Sequence, residues 1–389
     1  MDFTLTESQA QLVERIERLA RERLRPVAAA WGERSEVCPE LVAIMAEEGL
    51  FGLNIPERYG GSGGADQYCT TLCLVREALA LHCSEAELIF AVQGLGTCAI
   101  VMHGSEEQKQ RYLPDLVRGR RLFAFGLTEP EAGSDAAALR TTARRDGGDY
   151  VLEGRKMFIS NAPDADVYVV FAKTDPEQGS RGVTAFIVEK GTPGFTPRGG
   201  IELTAPHAIG YLDFEGCRIP AENVLGEPGH GFRIALSTLD IYRPSVGAQA
   251  VGLARRAYRL ARAYALERMA FGRRLADHQA IQFKLADMWI QIEAARGLVY
   301  YAAWLKDQGR RITREAAMAK LYATEAAQRV IYEAQQIHGG RGVIRGYEIE
   351  RLAREARPMT IYEGTSEIQR LIIARAEAER LRAGALEEV

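Results

Sequence analysis

Glu363 stands where a proton-abstracting carboxylate would be useful. It lies in Ile361-Tyr362-Glu363-Gly364-Thr365-Ser366-Glu367-Ile368-Gln369-Arg370, between an aromatic residue and a glycine. Thr365 or Ser366 reads as a helix N-cap, and Ile368, Leu371 and Ile372 follow at helical spacing. A carboxylate at a loop-to-helix junction can meet a ligand while its backbone is held firmly, which suits a general base. The competing reading is a surface charge that offsets the helix dipole.

Four further stretches carry groups that could hold a ligand. In Phe123-Ala124-Phe125-Gly126-Leu127-Thr128-Glu129-Pro130-Glu131-Ala132-Gly133-Ser134-Asp135, Thr128, Gly133 and Ser134 offer hydroxyls and approachable amides. These suit a flat heteroaromatic ring or a pyrophosphate, against the alternative of a Pro/Gly turn between domains. In Lys156-Met157-Phe158-Ile159-Ser160-Asn161-Ala162, residues two apart on a strand share a face. Phe158 could then cover a ring while Ser160 donates to it, or Phe158 is a core aromatic beside a turn. In Glu267-Arg268-Met269-Ala270-Phe271-Gly272-Arg273-Arg274, followed by Asp277-His278-Gln279, glycine interrupts a helical pattern and predicts a helix–helix turn. Arg268 there could grip a pyrophosphate with two N–H groups, or pair with a nearby carbonyl or carboxylate. Gln335-Gln336-Ile337-His338-Gly339-Gly340-Arg341-Gly342 either ends a helix or approaches a phosphate, and His338 reads as structural.

The elements that must position these groups follow an α, then β, then α order. Thr6-Glu7-Ser8-Gln9 and Ser105-Glu106-Glu107-Gln108 are capping boxes that open helices. From about residue 121 the pattern turns short, β-branched and turn-bounded, as in Val167–Ala172 and Val183–Glu189. From about Gly231 helical periodicity returns in runs long enough for a bundle. The reading is mainly α with a central β domain: an N-terminal helical domain over 1–120, a β-barrel or sandwich over 121–230, and a C-terminal four-helix bundle over 231–389.

Composition narrows the function classes. The 389 residues are 47% hydrophobic and 26% charged, ordinary for a soluble globular protein of two or three domains. A net charge of −3 with no basic patch argues against nucleic acid or anionic membrane as partners. The longest apolar candidate for a membrane span, Ile89–Met102, is broken by Gln93 and two glycines and is too short, so no membrane insertion is expected. The six cysteines show no C-x-x-C pair and no zinc spacing, and the six histidines are dispersed. Neither a metal centre nor a disulfide framework is expected, and the scattered thiols suggest the cytoplasm. No G-x-G-x-x-G occurs, which disfavours a nicotinamide site. The one G-x-S-x-G match, Gly60-Gly61-Ser62-Gly63-Gly64, follows Pro56-Glu57-Arg58 where a nucleophile elbow needs a buried strand.

Taken together, the stretches resemble the acyl-CoA dehydrogenase family of flavoenzymes over nearly the whole chain. Phe3-Thr4-Leu5-Thr6-Glu7, Gly52-Leu53-Asn54-Ile55-Pro56 and Tyr59-Gly60-Gly61 add to the motifs above. The resemblance implies FAD as cofactor. It implies flavin contacts from Phe125, Leu127, Thr128, Gly133, Ser134, Phe158, Ile159 and Ser160, with Ser160 near N5. A neighbouring subunit would offer Arg268, Phe271, Gln336, Gly339 and Gly340 to the adenosine diphosphate half, and His278, Gln279, Thr365 and Glu367 would also touch FAD. Ser134, Asp240, Arg243, Tyr362 and Gly364 would meet the acyl-CoA substrate. Glu363 falls on the position of the catalytic base, and the alternative base position is Tyr242 here. One departure stands out. Ala205-Pro206-His207-Ala208-Ile209-Gly210 replaces an arginine, serine and threonine usual in the family before the strand Tyr211-Leu212-Asp213-Phe214.

The implied reaction is α,β-dehydrogenation of an acyl-CoA to trans-2-enoyl-CoA, with electron-transferring flavoprotein as reoxidant and a homotetramer, a dimer of dimers, as the assembly. An acyl-CoA oxidase or monooxygenase on the same fold is the alternative, with a non-catalytic homologue behind it. Whether burial or the following helix N-terminus dominates the Glu363 pKa is not legible in the sequence.

Overall fold

The computed structural model describes residues 4–63 and 67–382, so Phe3 of the first family-like stretch and Gly64 of the glycine–serine stretch lie outside the described residues. The chain forms two compact units that do not follow its linear order. One comprises Met1–Arg25, Asp66–Glu87 and Asp240–Val389, and the other Pro26–Ala65 and Leu88–Leu239. The helices Ser84–His103 and Gly231–Glu267 each contribute to both.

The first unit is helical. The helix Glu7–Leu19 opens on the expected capping box: the Gln9 N–H donates to Thr6 Oγ1 at 3.3 Å, and the Thr6 N–H to Gln9 Oε1 at 3.0 Å. The other helices are Tyr68–His82, Gln279–Asp307, Thr313–His338, Glu348–Ala356 and Ser366–Arg382. Small residues let them approach closely. A Cβ on Gly247 would lie 2.7 Å from Val299 Cγ2, and one on Gly252 2.5 Å from the Glu77 carbonyl oxygen. The helix Thr313–His338 buries Ala316, Ala319, Ala323, Ala327 and Ala334, which serves the same end.

The second unit is built on one sheet. Its strands are β1 (Phe123–Gly126), β2 (Thr142–Asp146), β3 (Asp149–Ser160), β4 (Val167–Lys173), β5 (Val183–Glu189), β6 (Phe195–Arg198), β7 (Ile209–Pro220) and β8 (Val224–Leu225). Their order is β6-β7-β3-β2-β4-β5-β8, with β1 parallel beside β4. Six successive residues of β4 and six of β5 are buried, which explains their unbroken apolar runs. Tyr168 meets Phe195 edge-on at 4.9 Å, and Phe195 stacks on Phe214 at 5.0 Å, in the core under the sheet.

Three local expectations are corrected. First, the stretch after Glu267 is not a plain helix–helix turn. It is a hairpin of β9 (Met269–Ala270) and β10 (Arg273–Arg274), turning on Phe271 at φ +51° and Gly272 at φ +78°. Two consecutive positive φ values match the twist of a two-residue hairpin. Second, the apolar segment around Ile89 is longer than expected. It is a helix of 20 residues, Ser84–His103, long and apolar enough to cross a membrane by length and composition, yet 67% of its apolar window is buried in the fold. Gln93 and Gly96 do not break it, because both serve β1. The Phe123 N–H donates to Gln93 Oε1 at 2.6 Å, and Gln93 Nε2 donates to the Arg121 carbonyl at 3.2 Å. A Cβ on Gly96 would lie 2.8 Å from Phe123 Cβ. Third, β3 does not alternate regularly through Phe158, for reasons given below.

Ser62 does not follow a strand. Its N–H donates to the Gly52 carbonyl at 2.9 Å, in a loop after the short turn Glu57–Tyr59.

Gln93→Ala leaves the buried Phe123 N–H at the start of β1 and the partly buried Arg121 carbonyl just before it without their partner. It should lower stability by about 2 kcal/mol, read as a lower urea midpoint at unchanged slope. An unchanged midpoint would show that water replaces the side chain.

Candidate active site

Four non-glycine residues have positive φ among the described residues: Phe158, Asn161, Phe271 and Glu363. Such a backbone costs about 1–3 kcal/mol and persists only where the surroundings hold it. All four lie in the stretches singled out from the sequence.

Glu363, at φ +53°, is the most heavily held. Its carbonyl accepts from Gln369 Nε2 at 3.1 Å and from Arg243 Nε at 3.4 Å. The next carbonyl, of Gly364, accepts from Lys320 Nζ and Gln369 Nε2, each at 2.9 Å. Gly364 has φ +94°, where a side chain would be strained, and a Cβ there would also lie 2.6 Å from Gln369 Nε2. Thr365 is the N-cap of the final helix, its Oγ1 accepting the Ile368 N–H at 3.3 Å, whereas the Ser366 hydroxyl donates to Glu325 at 2.7 Å. The Glu363 carboxyl is placed and not consumed: Oε2 is buried and makes no hydrogen bond among the described residues.

Behind it runs a polar network that sequence reading missed. Arg76 is buried, and its Nε donates to Glu87 Oε1 at 2.6 Å, its Nη1 to Ser245 Oγ at 2.7 Å and its Nη2 to Gln249 Oε1 at 3.0 Å. The Tyr362 hydroxyl donates to the same Gln249 oxygen at 2.8 Å, which brings the network to the residue before Glu363. Asp240 binds Arg243 Nη1 at 2.9 Å through Oδ1 and the Thr313 hydroxyl at 2.7 Å through Oδ2. The one signal in the sequence was a charge pair, Arg76-Glu77, inside the apolar run Leu72–Leu81.

Burial pushes Glu363 above the usual carboxylate range, and Arg76, Lys320 and Arg243 pull it only part of the way back. Burial is thus the largest single influence on the Glu363 carboxyl, and the net direction is upward. Burial brings Lys320 down to about 8, against the pull of Glu363. Glu87 is pushed up by its own burial, against Arg76. Arg76 is lowered by burial but raised on balance by Glu87 and Glu363.

In the sheet unit, Leu127, Thr128, Gly133 and Ser134 lie on the loop after β1, with Phe125 in the strand itself against Phe171 at 4.9 Å. Lys156, fully buried, donates from Nζ to Glu129 Oε1 at 2.7 Å and to the Leu127 carbonyl at 3.3 Å. Glu129 also accepts the N–H groups of Arg140 and Thr141, and the Met157 N–H donates to the Thr128 carbonyl at 2.9 Å. The loop is therefore fastened to β3 by an internal ion pair whose members also bond the backbone. Gly133 and Ser134 remain exposed, and nothing lies within 4 Å of where a Gly133 Cβ would be.

Phe158 sits at φ +58° where the β3–β7 register shifts between Met157 and Ile159. The shift breaks the alternation that was to put Phe158 and Ser160 on one face. Phe158 is 50% exposed, Ile159 is buried, and the Ser160 hydroxyl lies 2.7 Å from His207 Nε2. An exposed aromatic face, exposed loop amides and hydroxyls at Thr128, Ser134 and Ser160 fit a heteroaromatic ring carrying a pyrophosphate.

The remaining expected contacts lie on the helical unit's surface. Arg268 is exposed, and Phe271 at the hairpin tip is 97% exposed. His278 caps the helix Gln279–Asp307, its Nε2 lying 3.2 Å from the Ala270 carbonyl. Gln336 is exposed and donates to the Tyr332 hydroxyl at 2.9 Å, and Gly339 at φ +58° ends its helix beside Gly340. His338 stacks on Tyr264 at 4.6 Å and is structural, as expected. Glu367 is exposed in the first turn of the last helix.

Comparison with known proteins decides the family. Residues 6–120, 124–217 and 229–378 match, in order, the N-terminal, middle and C-terminal domains of acyl-CoA dehydrogenase. The chain belongs to the acyl-CoA dehydrogenase family. It is therefore an FAD-dependent oxidoreductase. It is similar to the butyryl-CoA dehydrogenase of Megasphaera elsdenii, at 41% identity and TM-score 0.93 over 97% of this chain and 100% of that one. It is similar to a chain in the structure of the electron transferring flavoprotein of Acidaminococcus fermentans, at 42% identity and TM-score 0.93 over 97% and 99%. The acryloyl-CoA reductase (NADH) of Anaerotignum propionicum is 45% identical over 98% of this chain and 97% of its own length.

Removing Arg76 and Glu87 together, as Arg76→Met with Glu87→Leu, leaves no unpaired buried charge and should keep the fold. The greater influence lost at Glu363 is the cation, so its carboxylate becomes harder to form. The acid limb of kcat/KM should move to higher pH, and a limb that stays in place would separate this network from the base.

Proposed function

We propose that this protein dehydrogenates an acyl-CoA thioester to the trans-2-enoyl-CoA, with Glu363 as the base that takes the α-proton. The observation that carries this reading is the strained, clamped backbone of Glu363 together with its buried, unengaged Oε2. A thioester α-proton is a weak acid, so the base must be ionised yet poorly solvated. Burial raises its proton affinity, while Arg76, Lys320 and Arg243 keep the anion accessible. FAD supplies the two-electron acceptor when bound. Leu127, Thr128, Gly133, Ser134, Phe158 and Ser160 of the sheet unit would hold its ring and pyrophosphate. Tyr362, Gly364 and the Asp240–Arg243 pair stand next to the base and would fix the substrate's approach.

The same residues serve the reverse reaction by microscopic reversibility, and the likeness to a protein named acryloyl-CoA reductase gives that direction a specific support. Electron-transferring flavoprotein is the partner we favour in either direction, given the likeness to a chain solved in such a structure.

Glu363→Gln should give a folded, yellow protein whose flavin is bleached by butyryl-CoA under anaerobic conditions at least about 1,000-fold more slowly, given what general bases contribute. Bleaching at the wild-type rate would remove Glu363 from the role. Running the wild type with crotonyl-CoA, NADH and the flavoprotein partner reports the direction, and peroxide formation would favour the oxidase.

We also infer a homotetramer. Phe283, Trp289, Ile290 and Trp304 leave apolar surface exposed on the helix Gln279–Asp307, and Phe271 at the hairpin tip is almost fully exposed, which supports this reading. In that assembly Arg268 and Gln336–Gly340 would reach the adenosine diphosphate half of FAD in the adjoining subunit. Light scattering should give four times the 43.0 kDa chain mass, and Arg268→Ala should lose flavin without losing that mass. A flavin-saturated monomer would end both claims.

A further inference from the structure

The loop before β7 carries a histidine that nothing in the family resemblance calls for. Ile159 pairs with Gly210 and Ser160 with Ile209, and the Asn161 N–H donates to the Ala208 carbonyl at 2.7 Å. Gly210 can pass here because it lacks a Cβ, which would lie 1.9 Å from the Arg198 carbonyl oxygen. These contacts fix His207 beside the end of β3. Its Nε2 lies 2.7 Å from Ser160 Oγ, while its Nδ1 is buried and has no hydrogen-bond partner among the described residues.

That asymmetry selects a tautomer. A neutral imidazole carries one N–H and one lone pair. A buried N–H without an acceptor is rarer, and costs more, than a bare acceptor. The proton therefore belongs on Nε2, and Nδ1 is the bare nitrogen. Burial pushes the ring down to about 4, so a second proton is not present at neutral pH. Nε2–H then donates to Ser160 Oγ, and the serine's own proton must point elsewhere.

We propose that His207 is a positioning residue that fixes the Ser160 hydroxyl as a hydrogen-bond donor toward the flavin ring. The inference rests on the reading of Ser160 as a flavin contact. With the opposite tautomer, Ser160 would donate to His207 and present only lone pairs to the ring, which would oppose negative charge gathering there. His207 thus acts on the electron-acceptor side of the site while touching a serine.

Two measurements test this. In the holoenzyme labelled with 15N-histidine, long-range proton–nitrogen spectra at pH 7 should show His207 with protonated Nε2 and bare Nδ1, assigned by the signal lost in His207→Gln. A proton on Nδ1, or on both nitrogens, overturns the proposal. The second measurement is the flavin's visible spectrum and midpoint potential at full FAD content. His207→Leu and Ser160→Ala should each shift the band and lower the potential, the double variant should add nothing further, and His207→Gln, which keeps an N–H donor, should restore part of the loss. If Ser160→Ala shifts both readouts but His207→Leu shifts neither, this proposal alone fails. If Ser160→Ala shifts neither, Ser160 is not a flavin contact and the underlying reading fails with it.

Discussion

A glutamate at φ +53° relaxes toward extended or right-handed backbone unless its carbonyl and that of its neighbour are tied down. Here the ties come from three helices: Arg243 from Gly231–Glu267, Lys320 from Thr313–His338, and Gln369 from Ser366–Arg382. They reach only because those helices approach closely, through Gly247 and an alanine-lined face. Small residues in the bundle thus set the position of a carboxyl that none of them touches.

The clamp is also electrostatic. Lys320 and Arg243 fix the backbone with the same charges that moderate the carboxyl, so geometry and proton affinity cannot be varied independently. Neutral donors would hold the turn equally well and leave burial unopposed. Fewer buried groups around the carboxyl would keep it ionised but solvated, and so a weaker base. Arg76 adds a third cation through a separate network, held by Glu87, Ser245 and Gln249.

What the sequence disclosed was mostly local. Both capping boxes form as read, since each needs only residues three apart. The helical, sheet and helical character of the chain follows from period, and Glu363 was visible from its junction with a helix. The Arg76 network was not, because Arg76 meets Ser245 and Gln249 across more than 160 residues of chain. Backbone strain was equally hidden. Phe158 and Phe271 are ordinary letters in a sequence, and only the register shift in β3 and the tight hairpin reveal why they are displayed. The segment containing His207 was legible as a departure, but not its serine partner 47 residues away. Gln93 misled, since a polar residue in an apolar run suggests a break when it is in fact a bracket for β1.

The ion pair between Lys156 and Glu129 bears on how this chain can vary. Both groups lie inside the sheet unit, and Glu129 bonds two further backbone amides. Losing either partner alone leaves a bare charge in the interior, at a cost of about 3–5 kcal/mol, whereas an apolar pair of like volume can be tolerated. A large part of a domain's whole stability is at stake in either single change. A paired change of the two positions is therefore far cheaper than either single one, and the placing of the loop that they fasten, Leu127 to Ser134, depends on both at once.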